Sequence, residues 1–292
     1  MTGIPIRDIT LYTRVLGQGY PLLIMHGGPG ADHTSMLPLR TCADRFTLVF
    51  YDHRCNGRSQ GPDVSTMTWD NLTRDAEALR MKLGFDQWAV LGHSFGGMVA
   101  LEYALRYPQS LSHLILLDTC GDIRWAQDRA PKVLAQRGYS RSTVGLAERF
   151  FNGKIAPHEM IPALMRFGGA YYHHLSLTQR ARVILTGLQA KPNPEAQIFG
   201  FRCLLKDWSV MDRLDEIDVP TLVMAGRHDF QFPPEHQAEL AAAIKGAQLK
   251  IVEDAGHNAH FEQTDQIIQI VTRFLTDGVP GNTNGPSLAR SN

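Results

Sequence analysis

The stretch LGHSFGG, residues 91–97, follows an apolar run at 88–90 and precedes a segment with helical spacing. Ser94 lies at its centre, between Gly92 and Gly96. Gly-x-Ser-x-Gly between a buried strand and a helix is the pattern of a nucleophile elbow, a sharp turn that lifts the serine hydroxyl clear of a sheet. Any Cβ at the two glycines would collide across the bend. The stretch therefore predicts a nucleophilic serine on a strand–turn–helix junction.

Short apolar runs on either side of this junction predict the strands of the sheet. They lie at 21–25, 47–51, 88–91, 114–117, 221–225 and 249–252. Near-continuous apolarity is typical of strands covered on both faces, and hence of a mostly parallel sheet. Helical spacing between the runs, clearest at 69–83 with Thr68 and Gly84 at its ends, predicts a three-layer α/β sandwich. The more alternating segment 7–19 predicts an antiparallel edge hairpin.

The alternation of predicted strands and helices, and its interruption, divide the chain into segments. Residues 1–120 and 209–277 predict the two parts of one α/β core. Residues 121–208 show helical stretches but no clear buried strand, so they predict a helical cap inserted into that core. Residues 278–292 are rich in Gly, Pro, Asn and Ser and predict a disordered tail.

Composition and charge limit the kinds of binding partner and the cellular compartment that we expect for this chain. The 292 residues include 29 basic and 29 acidic ones, so charge gives no case for nucleic acid or a membrane surface. The four cysteines have neither CxxC nor metal-ligand spacing, which predicts reduced thiols and no metal site. The N-terminus lacks a signal-peptide pattern, and no apolar run reaches the roughly 20 residues that cross a bilayer. We therefore expect a cytoplasmic protein that acts on a small molecule. Its oligomeric state is not predicted.

A base and an orienting acid must accompany a serine nucleophile, because its hydroxyl alone is weak. Asp229 and His257 follow the last two predicted strands. The carboxyl ends of parallel strands meet at one sheet edge, and the chain order Ser, acid, His suits this architecture. We predict Asp229 as the acid and His257 as the base, with Asp118, at the end of another strand, as a rival acid. Three further histidines are interpreted as packing or pocket-rim residues: His93, His228 and His260.

The glycine-rich stretch HGGPG, residues 26–30, directly follows the first predicted core strand. Acyl transfer requires N–H donors aimed at the developing oxyanion. Glycine allows the backbone to approach a substrate without an intervening Cβ. We predict the N–H groups of Gly28 and Phe95 as these donors.

Taken together, the motifs resemble those of the proline iminopeptidases, a type of α/β-hydrolase. They are HGGPG (26–30), YDHRCNGRS (51–59), GHSFGG (92–97), GRHD (226–229) and AGH (255–257). The resemblance covers nearly the whole core and implies an eight-stranded sheet, a helical cap over the active site and no cofactor. It also supports the triad Ser94, Asp229 and His257, and an oxyanion hole of Gly28 and Phe95.

Two departures from the family pattern concern a loop and the substrate. Cys55 stands where the family has glycine, and because Asn56 tolerates left-handed backbone, we expect a rebuilt loop with a structural thiol at Cys55. The family holds the substrate's α-ammonium with glutamates, but Phe230 follows the triad aspartate here and the cap reads AQIFGF at 196–201. An ammonium buried there without a counter-charge would cost several kcal/mol. Glu195 is the carboxylate that a shifted cap could supply.

Aromatic residues predict an apolar wall for the substrate pocket. We name Phe199, Phe230, Tyr171 and Trp125 for this wall. The expected function is a serine hydrolase that cleaves an ester, lactone or amide bond of a small, largely apolar substrate through an acyl-enzyme. One alternative is a proline iminopeptidase that releases N-terminal proline from peptides. A carbon–carbon bond hydrolase could use the same triad, and a non-catalytic ligand receptor with this fold is the alternative of another class.

Overall fold

The computed structural model describes residues 2–277, so the predicted tail lies outside the described residues. The strands are β1 (Thr2–Ile6), β2 (Ile9–Leu16), β3 (Tyr20–Met25), β4 (Phe46–Tyr51), β5 (Trp88–His93), β6 (Leu111–Leu117), β7 (Thr221–Gly226) and β8 (Gln248–Val252). They form one sheet in the order β1-β2-β4-β3-β5-β6-β7-β8. The pairs β1–β2 and β2–β4 are antiparallel, and all other neighbours are parallel. The predicted eight-stranded, mostly parallel sheet is confirmed.

Helices cover both faces of this sheet. The α-helices are α1 (Trp69–Lys82), α2 (Phe95–Arg106), α3 (Arg124–Gln136), α4 (Arg141–Phe151), α5 (Met160–Phe167), α6 (Leu177–Gln189), α7 (Pro194–Phe199), α8 (Pro234–Ala243), α9 (Ala259–Glu262) and α10 (Thr264–Asp277). Shorter 3₁₀ segments lie at His33–Asp44, Val64–Thr66, Pro108–Ser110, Pro157–Glu159, Gly168–Tyr171 and Met211–Glu216, and a π-helical turn lies at Gly200–Leu204. None of the helices in residues 2–277 is both long and apolar enough to cross a membrane.

Alternate residues of the central strands enter two separate cores. In β3, Leu23 and Met25 join the core that contains α1 and α2. Leu22 and Ile24 join the core that contains the 3₁₀ segment His33–Asp44 and α10. The near-continuous apolar runs therefore arise because both faces of the sheet are buried, as parallel sheets require.

Local signals at helix and strand ends explain two features of the framework. The Thr68 hydroxyl accepts a hydrogen bond from the N–H of Asn71 at 3.2 Å, and Gly84 beyond the helix has φ +76°. The predicted helix at 69–83 is confirmed as α1. The predicted hairpin at 7–19 was wrong in its bounds, because the turn lies at Arg7, with φ 45°, and joins β1 to β2.

The chain between β6 and β7 is helical and returns to the point where it leaves the sheet. It contains α3 to α7, and its ends pair through a bridge between Asp122 and Ser209. The N–H of Val210 donates to the carbonyl of Gly121 at 2.8 Å. These contacts lie close to the predicted ends of the cap, 121 and 208. The division into core and cap remains a prediction.

Candidate active site

Ser94 lies on the tight turn between β5 and α2. Its backbone has φ 53° and ψ −121°, a conformation that costs a non-glycine residue about 1–3 kcal/mol. A Cβ at Gly92 would lie 2.4 Å from the carbonyl oxygen of Gly96, and a Cβ at Gly96 would lie 2.2 Å from that of Met25. The turn therefore requires glycine at both positions, as the elbow pattern predicts.

Ser94, His257 and Asp229 form a chain of two hydrogen bonds. Nε2 of His257 lies 3.0 Å from Oγ of Ser94, and Nδ1 lies 2.9 Å from Oδ2 of Asp229. Oδ1 of Asp229 accepts from the N–H groups of Gln231 and Phe232 at 2.8 and 3.2 Å. The carboxylate is thereby held against the imidazole, where it favours the tautomer with a proton on Nδ1. Nε2 of His257 is then free to accept the serine proton.

Asp118, the rival acid, has other partners. Its Oδ1 accepts from the N–H of Gly226 at 2.8 Å and its Oδ2 from the N–H of Ala259 at 3.3 Å. Complete burial, reinforced by the nearby charge of Asp229, raises the pKa of Asp118 well above its usual range. Asp118 thus ties the end of β7 to α9, while Asp229 makes the contact with His257.

The three remaining histidines make contacts that suit packing or rim positions. Nε2 of His93 donates to the carbonyl of His257 at 3.0 Å, and Nε2 of His260 donates to the carbonyl of Ser35 at 3.0 Å. Burial lowers the pKa of His93 well below its usual range and that of His260 to about 3, so both rings are neutral. His228 is stacked on His173 with ring centroids 3.6 Å apart.

The glycine-rich loop passes close to the serine. Gly27 and Gly28 line the same cavity as Ser94. Gly28 has φ +124°, and a Cβ at Gly27 would lie 2.9 Å from Nδ1 of His93 and 3.3 Å from Cβ of Ser94. Phe95 begins α2 directly after the serine, so its N–H belongs to a helix N-terminus. Backbone N–H groups at such a terminus carry partial positive charge.

A cavity of about 180 Å³ opens at the serine. Its lining consists of Gly27, Gly28, Ala31, Ser35, His93, Ser94, Phe150, Tyr171, Gln197, Phe201, Gln231, His257 and Asn258. The amides of Gln197, Gln231 and Asn258 are among its neutral polar groups, and no carboxylate is among the lining residues. A larger cavity of about 440 Å³, lined by His113 and Gln248 among others, lies at the opposite, amino ends of β6 and β8. Of these two cavities, the smaller one adjoins the hydroxyl of Ser94.

The structure places one of the four predicted wall residues on this cavity. Tyr171 lines it, with its ring edge-on to His257 at 5.4 Å between centroids. Phe230 is fully buried behind Tyr171, at 5.1 Å between centroids. Trp125 packs on His236 at 4.2 Å, and Phe199 is only partly buried in the cap. Phe199, Phe230 and Trp125 therefore lie outside the lining, which corrects the prediction for these three.

Comparisons with known proteins identify the family of this fold. A family model described as the alpha/beta hydrolase fold matches residues 20–264. The chain belongs to the α/β-hydrolase fold family. A proline iminopeptidase of Saccharolobus solfataricus is 29% identical over 282 residues, which cover 90% of this chain and 86% of that protein. The predicted resemblance to the proline iminopeptidases is confirmed.

Two solved structures extend the comparison. A thermophilic esterase from Thermogutta terrifontis is 25% identical, with a TM-score of 0.69 over 92% of this chain and 94% of that one. An enol-lactonase from Burkholderia xenovorans is 22% identical, with a TM-score of 0.68 over 93% of this chain and 98% of that one, a likeness of fold. The chain is a hydrolase enzyme of this fold.

The loop that departs from the family pattern contains Cys55 and Asn56. Cys55, and not Asn56, adopts the left-handed conformation, with φ 61°. The Asn56 side chain instead accepts from the N–H of Gly30 and donates to the carbonyl of Arg54. Burial raises the pKa of the Cys55 thiol. Cys55 is thus a buried thiol on left-handed backbone, and Asn56 holds the glycine-rich loop.

The carboxylate considered for an ammonium group is not at the cavity of this α/β-hydrolase. Glu195 is exposed in the first turn of α7 and is not among the lining residues. Trp208 of the Lys-Asp-Trp segment donates its indole N–H to Glu102 at 2.7 Å. That segment therefore anchors the end of the helical chain between β6 and β7 to α2.

Sequence reasoning missed the neutral amides of the lining. Gln231 and Asn258 lie two and one residues after Asp229 and His257, so closeness to the predicted triad was a usable signal. Gln197 comes from the cap, more than 30 residues before Asp229, and only the fold brings it to the cavity. These residues define the polarity of the site.

Proposed function

We propose that this α/β-hydrolase cleaves an ester, lactone or amide bond of a small neutral substrate. Ser94 is the nucleophile, His257 the base and Asp229 the orienting acid. One observation carries the proposal: the hydrogen-bonded chain from Asp229 to Ser94 ends in a cavity of about 180 Å³ whose lining has no carboxylate.

The acylation step follows from the two hydrogen bonds. Oγ of Ser94 attacks the substrate carbonyl carbon while Nε2 of His257 takes the hydroxyl proton. Asp229 stabilises the imidazolium that forms. The tetrahedral intermediate then expels the alcohol or amine, which receives the proton from Nε2, and the acyl group remains on Oγ.

Deacylation reverses the roles at the same atoms. A water molecule gives its proton to Nε2 of His257, and its oxygen attacks the acyl carbon. The bond from carbon to Oγ of Ser94 breaks, Oγ recovers the proton, and a carboxylic acid leaves. Both steps place negative charge on the former carbonyl oxygen, which the N–H groups of Gly28 and Phe95 stabilise in this proposal. Each such donor contributes roughly 3 kcal/mol to the barrier reduction.

The neutrality of the cavity supports a neutral substrate. Phe150, Tyr171 and Phe201 supply aromatic surface, while Gln197 and Gln231 supply amide groups. Amides bind carbonyl and ether oxygens well but cannot neutralise an ammonium. An α-ammonium in this space would lose its hydration without a counter-ion, which costs several kcal/mol.

The proposal is tested with p-nitrophenyl esters, simple lactones and proline p-nitroanilide. We expect ester and lactone hydrolysis by the wild type, and covalent labelling of Ser94 by a fluorophosphonate probe. Ser94→Ala abolishes the labelling. Ser35→Ala removes another serine of the cavity lining and should leave the labelling in place. A folded wild type that neither hydrolyses nor reacts with the probe would contradict the proposal and favour a ligand receptor.

A proline iminopeptidase is the second candidate, supported by the likeness to the enzyme of Saccharolobus solfataricus over 90% of this chain. It requires a site for the free amine of the N-terminal proline. Strong preference for proline p-nitroanilide over the esters, lost when the proline nitrogen is acetylated, would favour this candidate and overturn the neutral-substrate proposal.

A further inference from the structure

Helix α6 turns its more apolar side away from the protein. Its inward residues Gln179, Val183 and Thr186 are only half-buried, and no residue of the helix is fully buried. Four aliphatic side chains on the other side are between 58% and 86% exposed: Leu177, Ile184, Leu185 and Leu188. Surface helices normally bury their apolar stripe and expose their polar one. The orientation of α6 is the reverse.

Helix geometry makes these side chains one continuous surface. At about 100° per residue, Leu177, Ala181, Ile184, Leu185 and Leu188 fall within one sector roughly 100° wide. We call these five residues the outer stripe. The sector lies opposite the half-buried face, which packs on the 3₁₀ segment His33–Asp44 and on α9. The outer stripe is therefore an unpartnered apolar surface of the cap.

Positive charge flanks the outer stripe. Arg180 and Arg182 lie on its two sides and are exposed, and among the ion pairs of residues 2–277 none involves either of them. The sequence from 160 to 194 contains no Asp or Glu. On α9, Glu262 is buried and accepts from the N–H groups of His173 and His174 at 2.8 and 2.7 Å. The exposed surface of α6 itself is thus basic as well as apolar.

Area and charge favour a lipid surface over a second copy of the chain. Five side chains on one helix offer a few hundred Å², whereas a stable dimer buries about 800 Å² on each partner. A two-fold contact along α6 would also bring the arginines of both copies together. An apolar stripe flanked by arginines is instead the pattern of a helix that lies in a membrane interface. Its arginines reach anionic head groups while their stems stay on apolar surface.

We propose that α6 docks this protein on the surface of an anionic phospholipid bilayer, with the outer stripe at the boundary between head groups and acyl chains. The helix lies in the plane of the surface and does not span it. The proposal is independent of the reaction at Ser94, because none of the outer-stripe residues lines the cavity.

Vesicle sedimentation with the full chain tests this proposal. Vesicles of phosphatidylglycerol and phosphatidylcholine are compared with vesicles of phosphatidylcholine alone. We expect binding to the anionic vesicles, at least tenfold weaker for the double variant Leu185→Gln/Leu188→Gln and at least threefold weaker for Arg180→Gln/Arg182→Gln. The matched control is Met81→Gln, an exposed apolar residue on α1 that packs on the other face of the sheet, and it should bind like the wild type.

Three outcomes would overturn the proposal. They are no binding to the anionic vesicles, equal binding by the stripe variant and the wild type, and a dimer in light scattering that Leu185→Gln/Leu188→Gln dissociates. The third outcome would assign the stripe to a second copy. All substitutions are at exposed positions, and equal thermal unfolding of each variant and the wild type shows that a change in binding reflects the surface.

Discussion

Backbone strain at single residues is concentrated where the candidate site lies. Among residues 2–277, six non-glycine residues have positive φ. Three of them, Ser94, Asp118 and Asp254, lie just beyond the carboxyl ends of β5, β6 and β8. Such conformations persist only where the surroundings impose them, and they cluster at functional sites. The strain thus marks the same sheet edge as the hydrogen-bonded chain of Asp229, His257 and Ser94.

The two buried aspartates at this edge should differ sharply in their effect on catalysis. Asp229→Asn presents an amide to Nδ1 of His257 and favours the wrong tautomer, so kcat should fall about 10³- to 10⁴-fold. Asp118→Asn disturbs bonds to the N–H groups of Gly226 and Ala259 and should retain kcat within about tenfold. Steady-state kinetics on the best ester checks both values.

Thermal unfolding of the two variants serves as the control for this comparison. Asp118→Asn should lower Tm, since one buried backbone N–H loses its acceptor at a cost of about 1–3 kcal/mol. An active Asp229→Asn together with a folded but inactive Asp118→Asn would show that Asp118 is the acid.

Thiol reactivity should be confined to one of the four cysteines. Cys42, Cys55 and Cys120 are buried and Cys203 is exposed. Burial raises the pKa of the Cys42 thiol to about 11 and also raises those of Cys55 and Cys120, so little thiolate forms at pH 8. We expect one thiol per chain to react rapidly with a disulfide reagent, and none in Cys203→Ser. Rapid reaction of Cys55 in that variant would contradict its assignment as a buried structural thiol.

At the scale of elements, the elbow depends on the contact between β5, α2 and β3. Gly96→Ala would place a Cβ 2.2 Å from the carbonyl oxygen of Met25, a backbone atom that cannot move without the sheet. We expect little folded protein. The matched control is Gly187→Ala in the last turn of α6, where a Cβ meets nothing within 4 Å. It should raise the free energy of unfolding by about 0.5–1 kcal/mol. Urea unfolding measures both variants, and a Gly96→Ala variant as stable as the wild type would refute the steric explanation.

The strands that were predictable share one physical cause. Runs such as 88–91 and 222–225 are apolar throughout because two cores bury alternate residues. The edge strand β1 has no such signal, since its residues Gly3 and Pro5 are exposed and its pairing with β2 is visible only in three dimensions. Burial on both faces is therefore what makes a strand visible in the sequence.

The candidate site was predictable to the extent that it depends on strand ends. Ser94, Asp229 and His257 each follow a strand, so topology alone brings them to one edge. The cavity wall depends on how the cap helices pack, and apolar character did not distinguish Tyr171 on the wall from Phe230 behind it. Polar wall residues carry no periodic signal at all, which is why Gln197 was missed.

For the whole molecule, buried histidines set the response of stability to acid. Burial lowers the pKa of the half-buried His228 and of six buried histidines: His26, His53, His93, His113, His236 and His260. Their folded-state pKa values lie below that of the unfolded chain, so the unfolded state binds more protons in acid. The stability they contribute is complete above about pH 6.5 and is lost as the pH falls through 6.5 towards the folded values.

His236 offers a clean test of this response. Burial lowers its pKa to about 4, and neither ring nitrogen has a partner in the described structure. His236→Phe keeps the ring contact with Trp125 and removes the titration. Between pH 7.5 and 5.0 the loss in unfolding free energy should be about 2 kcal/mol smaller in this variant. Urea unfolding at both values measures it, with exposed His158→Gln as the unchanged control. An unaltered loss in His236→Phe would refute the assignment.

Two consecutive residues hold the base, His257, through separate hydrogen bonds. His93 bonds to the backbone carbonyl of His257, and Ser94 bonds to its imidazole. A body attached at two points can swing only about the line that joins them. When the surrounding loops move, the nucleophile and the base should therefore move together. The distance between Oγ of Ser94 and Nε2 of His257, across which the proton passes, should then change little.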